Sequence, residues 1–547
     1  MADIELPLPP RRERVPWLPL LLIVAVAVLL RYPGLEWGLP DSTHIFSYHP
    51  DEFHSLRGAL SLILAGDPNP HFFNYGSLYL YLVSIASVLA DSGAVGNVSA
   101  DGMTQLLHDW TLAARHLNLL MAVATVIAMF FLGRALLGDK LGLVAAGALA
   151  VFPLHALHSR YATVDVPQAL FLTLALLYAV RIGQRPLTRD YLLAGLFAGL
   201  AASTKYNGAI VLIAPLIAHL VARRDDERGT VRLFAVQPLA MLVMAAAAFV
   251  LTSPYTLLDW DSARRDILFE MQHMQLGEEP ARSADPNGWM FHGLGLFLAT
   301  GGGALIAVMG LAGITARRLW RPALGMVVFG ACWFAMISMA NVRYGRYEVA
   351  LLPVIALLLA AAPAALYRRR VEVRLIGVLL PGACLLAALT TSLWMAQSLR
   401  QQPDPRDVAL RTIMQVVPPD RPVGLLWEPW FNAPPVDRCN GGQALRSNPF
   451  WGQFKSPVRP LLVTGLDPAA LKREQPFVLA LSNFEIRDAL RVRDANAEAF
   501  MAFVRTEYLP AVVSERRAPL KGMLGWQPPQ DWLYAFPQET VYLRRAK

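Results

Sequence analysis

The sequence predicts a polytopic α-helical membrane protein with a small α/β domain at its C-terminal end, and three observations carry that prediction. Of 547 residues, 55% are hydrophobic and only 16% charged, against roughly a quarter charged in ordinary soluble domains. Apolar runs close to the roughly twenty residues of a helical crossing recur up to position 396. Beyond that position Pro, Arg and Asp replace them. The mean hydropathy of +0.39 agrees. The net charge of +8 sits mostly in short arginine clusters between apolar runs, which read as topology signals and not as nucleic-acid contacts. Three cysteines are too few for a disulfide framework. Cys332 and Cys384 lie in apolar runs and Cys439 stands alone, so neither a disulfide nor a CxxC zinc site is expected.

In chain order, the first apolar run, 17–30, follows Arg11, Arg12 and Arg14. No small-residue cleavage site comes after it, so it reads as an uncleaved first span. Further runs cover 116–133, 141–158, 166–181, 191–208, 209–221, 233–252, 290–314, 323–340, 348–366 and 375–396, about eleven spans in all. The stretch 77–90 is short for a crossing and is placed in the interface, with Tyr79 and Tyr81 in the aromatic belt. Arginine-rich loops such as 181–189, 223–232, 317–321 and 368–374 then fall on the side of the N-terminus, which the positive-inside rule makes cytoplasmic. Loops 32–115 and 253–289 lie outside. Residues 1–396 form the membrane module and 397–547 an extracytoplasmic α/β domain. That domain has strand-like runs at 422–427, 460–464, 477–481 and 540–543, and helix-like runs at 407–416, 468–474 and 497–506. No internal repeat is visible.

Span middles carry almost no ionisable groups, which counts against an ion-coupled transporter, because such groups mark ion and proton pathways. Charge gathers instead at the outer span ends. The first outer loop holds Tyr48-His49-Pro50-Asp51-Glu52-Phe53-His54. A carboxylate pair on a Pro-started helical turn supplies a general base and a second acid that orients a ligand; the plainer reading is a helix N-terminus that favours acids. His49, Asp51 and His54 form only a weak metal pattern. Two more outer ends add Arg160, Tyr161, Asp165 and Pro167, then Ser203-Thr204-Lys205. A lysine there also fits simple snorkelling, yet Asp51, Asp165 and Lys205 share one membrane face.

These residues resemble the GT-C glycosyltransferases that use polyprenyl-phosphate sugars, among them protein O-mannosyltransferases and the aminoarabinose transferases of lipid A. The resemblance spans roughly residues 15 to 400. Pro50-Asp51-Glu52 matches the first-loop motif whose Asp is taken as catalytic. Arg160, Tyr161, Asp165 and Pro167 resemble the segment before span four, and Gly199 to Lys205 the Gly-Leu-x-x-x-Thr-Lys segment. Arg346-Tyr347 with Pro353 resembles the later Arg-Tyr, and His273-Met274-Gln275 the His-x-Gln of the aminoarabinose enzymes. Where those enzymes carry Phe-Glu-Lys-Pro, this chain has Phe73-Asn74-Tyr75-Gly76. The lysine of that motif is absent here, a departure from the lipid A branch that leaves the resemblance to the wider family unaffected.

The resemblance implies an inverting glycosyltransferase whose partners are a polyprenyl-phosphate-sugar donor, an envelope glycan, lipid or protein acceptor, and membrane lipid, with no nucleic acid. Asp51 is expected as general base and Glu52 as the group orienting the acceptor or a cation. Lys205, Arg346, Arg160 and Arg115 are expected to neutralise the donor phosphate. Asp165, Tyr75, His273 and Tyr161 complete the substrate contacts; for Asp165 a structural salt bridge is an equal alternative. No cofactor is assigned, a divalent cation is left open, and no metal ligand set is named. Trp427, Trp430 and Trp451 read as core ahead of a carbohydrate platform, and Asn97-Val98-Ser99 as a common sequon. The competing class is a lipid or solute transporter, or a scaffold whose tail is the active part.

Overall fold

Helices form at every apolar run marked in the sequence. The computed structural model describes residues 14–90, 99–222, 236–277, 287–367, 369–442, 447–457 and 459–546. Arg11, Arg12, the 223–232 cluster, Arg368 and the Asn97-Val98 part of the sequon lie outside the described residues. At the first two predicted spans stand Trp17–Arg31 and Ala100–Leu137, and the 38 residues of the second reach well beyond the predicted 116–133. The next run divides into Asp139–Val151 and Pro153–His158, because Pro153 lacks the amide that would continue the helix and is suited to starting a new one.

Among the described residues, five helices are long and apolar enough to cross a membrane, or six with one bent pair. Trp17–Arg31, Leu78–Leu89, Tyr206–Val221 and Val236–Thr252 are shorter apolar helices. Length and apolarity therefore establish fewer crossings than the eleven expected. The run 290–314 is not straight: Gly288–Ala299 and Gly303–Ala316 meet at 91°. Gly301 and Gly302 have φ of 62° and 87°, conformations that cost other residues strain. The aromatic-belt expectation is corrected for Tyr79. Helix Leu78–Leu89 forms, but Tyr79 is fully buried in one cluster with Ile45, Leu56 and Trp110, while Tyr81 donates its hydroxyl hydrogen bond to Pro68 O at 3.0 Å.

The C-terminal region carries a five-stranded sheet. Its strands are β1 (Val423–Leu425), β2 (Leu461–Val463), β3 (Val478–Ser482), β4 (Tyr508–Glu515) and β5 (Gln538–Arg544), in the order β2-β1-β3-β5-β4. β1 runs parallel to β2 and β3; β5 is antiparallel to β3 and β4. Helices Pro405–Val416, Pro468–Glu474 and Ala495–Glu507 fall where expected. β4 was not expected, because Pro510 interrupts it. The strand tolerates this proline at the sheet edge, where its register shifts between Pro510 and Val512.

This region is anchored to the segment 32–49, which follows the first helix. Buried Asp404 accepts from Trp37 Nε1 at 2.9 Å, from Arg406 Nε at 2.7 Å and from Arg516 at 3.2 Å. The Arg406 guanidinium lies 3.8 Å from the Tyr48 ring centroid. Burial alone would raise the Asp404 carboxyl, but the two arginines hold it well below the usual carboxylate range. Of the three tryptophans weighed as a platform, Trp451 is buried with Phe46 and Phe53, and Trp427 and Trp430 are part-exposed.

Candidate active site

Pro50 opens helix Pro50–Ala59 and puts Asp51 and Glu52 in its first turn. Consecutive helical residues point about 100° apart and do not share a face, and the two carboxylates diverge accordingly. Asp51 lines a polar cavity and pairs with the Arg346 guanidinium. Glu52 turns inward: its oxygens accept from Arg115 at 2.8 and 2.7 Å and from Ala162 N at 2.8 Å, with no exposure.

Lys205 ends helix Thr188–Thr204 in an extended conformation. Its Nζ reaches Asp165 Oδ1 at 3.0 Å and lies 4.9 Å from the Tyr347 ring centroid and 5.8 Å from that of Tyr75. Arg346 begins the turn Gly345–Leu351 and stacks 4.3 Å from the Tyr344 ring centroid. Both cations of these pairs lie near the Tyr347 ring, Lys205 at 4.9 Å and Arg346 at 5.8 Å from its centroid.

The 66–77 loop is held against these pairs from two directions. Gly76 packs on the Ser203 backbone so closely that a Cβ would collide with it. Ser77 N donates to Ser253 Oγ at 2.8 Å, which meets Ser203 Oγ at 2.7 Å. Helix Trp260–Leu276 contributes Asp266, which accepts from Phe73 N at 3.1 Å, and Glu270, which accepts from Asn74 Nδ2 at 3.3 Å. Two cavities result. A polar one of about 510 Å³ is lined by Asp51, His54, Tyr75, Glu270, His273 and Arg346 among others. An apolar one of about 630 Å³ is lined by Met271, Met274, Met336, Met339 and Lys205, and shares Asn74, Tyr75, Glu270, Arg346 and Tyr347 with the first.

Burial raises the Asp51 carboxyl, but Arg346, followed by His49, His54 and Lys205, outweighs it and holds Asp51 below its ordinary value. Desolvation pushes His54 down to about 4, so this ring is neutral at pH 7. Burial raises the Tyr75 hydroxyl well above its usual value; it stays protonated and can donate.

Asp51, Arg346, Lys205, Asp165, Tyr75 and His273 are brought together at or beside the paired cavities. Four expected contacts are corrected. Glu52 and Arg115 form a buried pair, and Arg115 also donates to Leu35 O and Trp37 O at 2.6 Å each. Arg160 donates to Pro33 O at 2.8 Å, Ala156 O at 2.5 Å and Leu30 O. Both guanidinium groups are buried, spend most of their donors on these partners, and line neither cavity, so they do not face the place a phosphate would occupy. Tyr161 is fully buried between Trp37, His49 and His158 and lines neither cavity.

Asp266 and Glu270 were missed, although their spacing with His273 places all three on one helical face. Asp531 and Tyr534 were missed too, and nothing in the sequence marks them. Asp531 accepts from Gly345 N at 3.1 Å and Arg346 N at 2.8 Å, so the C-terminal region fixes the backbone carrying Arg346. Tyr534 lines the polar cavity. Among the described residues no group of three His, Cys, Asp or Glu side chains is arranged to hold a metal ion.

Residues 92–257 match the sequence profile of the dolichyl-phosphate-mannose-protein mannosyltransferase family. No curated protein matches the chain. Similar solved structures include ArnT from Cupriavidus metallidurans bound to undecaprenyl phosphate, at 15% identity over 97% of this chain and 98% of that one, with a TM-score of 0.49. Another is the oligosaccharyltransferase AglB from Archaeoglobus fulgidus with an inhibitory peptide and a dolichol-phosphate, at 12% identity over 91% and 72%, with a TM-score of 0.47. A third is the S. cerevisiae protein O-mannosyltransferase Pmt1-Pmt2 complex bound to the sugar donor, at 18% identity over 45% and 34%, with a TM-score of 0.34.

Proposed function

We propose that this chain, a GT-C superfamily glycosyltransferase of the membrane, moves one monosaccharide from a polyprenyl-phosphate donor to a hydroxyl of an envelope glycan, lipid or protein at the outer membrane face. The observation that carries this reading is the meeting of the polar and apolar cavities at Arg346 and Tyr347. A lipid-phosphate sugar needs both: an apolar slot for the prenyl chain, and a polar chamber where sugar and acceptor react. Its phosphate would then sit at the junction, beside Lys205 and Arg346.

In the free enzyme each cation is held by a carboxylate, Arg346 by Asp51 and Lys205 by Asp165. A phosphate entering between them draws both cations toward itself, and fixed cations stabilise the charge that grows on the leaving phosphate. Drawing Arg346 away also removes the charge that depresses Asp51, so its basicity rises as the donor seats. Asp51 then takes the acceptor proton as the hydroxyl attacks the anomeric carbon, the phosphate leaves, and the centre inverts. Glu270, Tyr75 and His273 line the chamber where the sugar hydroxyls would lie.

Transfer of label from a panel of polyprenyl-phosphate monosaccharides by purified protein tests the reading. Wild type is expected to transfer, and Asp51→Asn to lose about 10²- to 10⁴-fold while folding normally. Near-full transfer by Asp51→Asn would remove Asp51 as base. Turnover of no donor by folded wild type would sink the reading.

A further inference from the structure

Helix Gly288–Ala299 and the turn Gly345–Leu351 share a buried His–Glu pair that the reaction outlined above does not use. His292 Nδ1 lies 3.0 Å from Glu348 Oε1, and the two side chains are 0% and 2% exposed. Taking such groups out of water costs free energy, and apolar residues of similar volume often serve stability as well or better. The helix nevertheless makes room for the carboxylate: a Cβ on Gly295 would come within 2.5 Å of Glu348 Oε1. His292 and Gly295 are three residues apart and share a helical face, so the imidazole and the notch that receives the carboxylate belong to one surface. Stability alone does not account for a pair built in this way.

Its place in the turn does. Glu348 directly follows Arg346 and Tyr347. Those two side chains line both the polar and the apolar cavity, whereas Glu348 lines neither and is held on helix Gly288–Ala299. The backbone just ahead of it is fixed from other directions. Asp531 accepts from Gly345 N and Arg346 N, and Trp333 Nε1, on helix Trp320–Met339, donates to Tyr347 O at 3.0 Å. The His292–Glu348 bond adds a side-chain anchor on the far side of Arg346 and Tyr347, reaching into the helical body. A short turn pinned before and after its cation has little freedom to move the guanidinium, and a misplacement of about 1 Å is enough to cost about 10²-fold in rate.

We propose that His292 and Glu348 are positioning residues: their pair pins the turn from inside the helical body and so sets where Arg346 and Tyr347 meet the donor phosphate. The proposal rests on the transfer reading above, and deepens it by naming what places the phosphate-binding cation.

The test uses full-length protein in lipid nanodiscs, labelled undecaprenyl phosphate as the probe, and the variants His292→Leu/Glu348→Met and His292→Asn. The double variant replaces the pair by apolar side chains of similar volume, so its melting temperature should stay near that of wild type. Its affinity for undecaprenyl phosphate should fall about tenfold or more, the scale of one hydrogen bond to a charged group, and amide hydrogen exchange over residues 345–351 should quicken. His292→Asn keeps a donor close to the Nδ1 position and should hold affinity within about twofold of wild type. Wild-type affinity and exchange in the double variant would overturn the proposal, as would a lower melting temperature with affinity unchanged, the mark of a merely structural pair. Should the double variant not fold, Glu348→Asp serves: it keeps the charge but shortens the reach to His292, and unchanged affinity and exchange there count against the anchor. Quickened exchange in the variant with no undecaprenyl phosphate binding by wild type would sink the transfer reading and leave the anchor of the turn standing. Binding and sugar transfer by wild type that the double variant fully retains would do the reverse.

Discussion

At the residue scale, the contrast between Asp51 and Glu52 shows how consecutive positions in one helical turn separate a carboxylate that lines a cavity from one held in a buried pair. Glu52 neutralises Arg115 in full burial. Removing one member of such a pair strands the other's charge and costs about 3–5 kcal/mol. Glu52→Gln is therefore expected to lower the midpoint of thermal unfolding sharply; a variant as stable as wild type but inactive would return Glu52 to the catalytic set. Asp51 makes a prediction of opposite kind. Its carboxyl lies below the ordinary value in the free enzyme, so the base form persists down to about pH 4 and is lost only as pH falls through the lowered value. The profile of kcat/KM, which reports the free enzyme, should show no acid limb above about pH 4, and that of kcat should show one at higher pH if, as proposed, donor phosphate competes for Arg346. An acid limb near pH 6 in kcat/KM would contradict the Arg346–Asp51 pairing.

Among the elements, close helix contacts decide where the cations stand. Gly195 and Gly199 on helix Thr188–Thr204 lie against the carbonyls of Met241 and Ala245 on Val236–Thr252, nearer than any Cβ permits. Small residues four apart let helices approach in this way, and the same helix delivers Lys205 at its end. Gly195→Val should separate the pair, lower stability by about 1–3 kcal/mol as overpacking does, and weaken donor binding through Lys205. Unchanged melting and donor affinity would show that this contact does not set the position of Lys205.

For the whole molecule, the C-terminal region reaches the candidate site through Asp531, which holds the Gly345–Arg346 backbone. Asp531→Ala is expected to cost up to about 10²-fold in kcat, the scale of a 1 Å misplacement, with the fold retained; full activity would make the contact dispensable. Stability of this region should also depend on pH through Glu485. Burial pushes its carboxyl up to about 8, although it accepts from Ser482 N at 3.2 Å and Asn432 Nδ2 at 3.1 Å. Because the folded value exceeds the unfolded one, the stabilising effect is complete below about pH 4 and is lost as pH rises through about 8. Melting temperature should fall from pH 5 to pH 8, and Glu485→Gln should flatten that slope; an unchanged slope would assign it to other groups, such as the buried Glu539, whose carboxyl burial also raises.

The sequence by itself determined the helical class, the positions of the apolar helices and four of the five strands, and it marked Asp51, Asp165, Lys205 and Arg346, which the structure pairs. These follow from local quantities: apolar run length, β-rich runs between turn residues, and motif order along the chain. It did not show that Glu52, Arg115, Arg160 and Tyr161 are buried away from both cavities, because a polar side chain that faces a cavity and one that meets a buried partner look alike until the partner is known. Only the tertiary structure decided which cation meets which carboxylate, that Asp531 from the far end of the chain holds the Arg346 backbone, and that a polar and an apolar cavity join at Tyr347. Such long-range pairings are set by how helices and sheet pack, and packing leaves no periodic trace in the chain that it brings together.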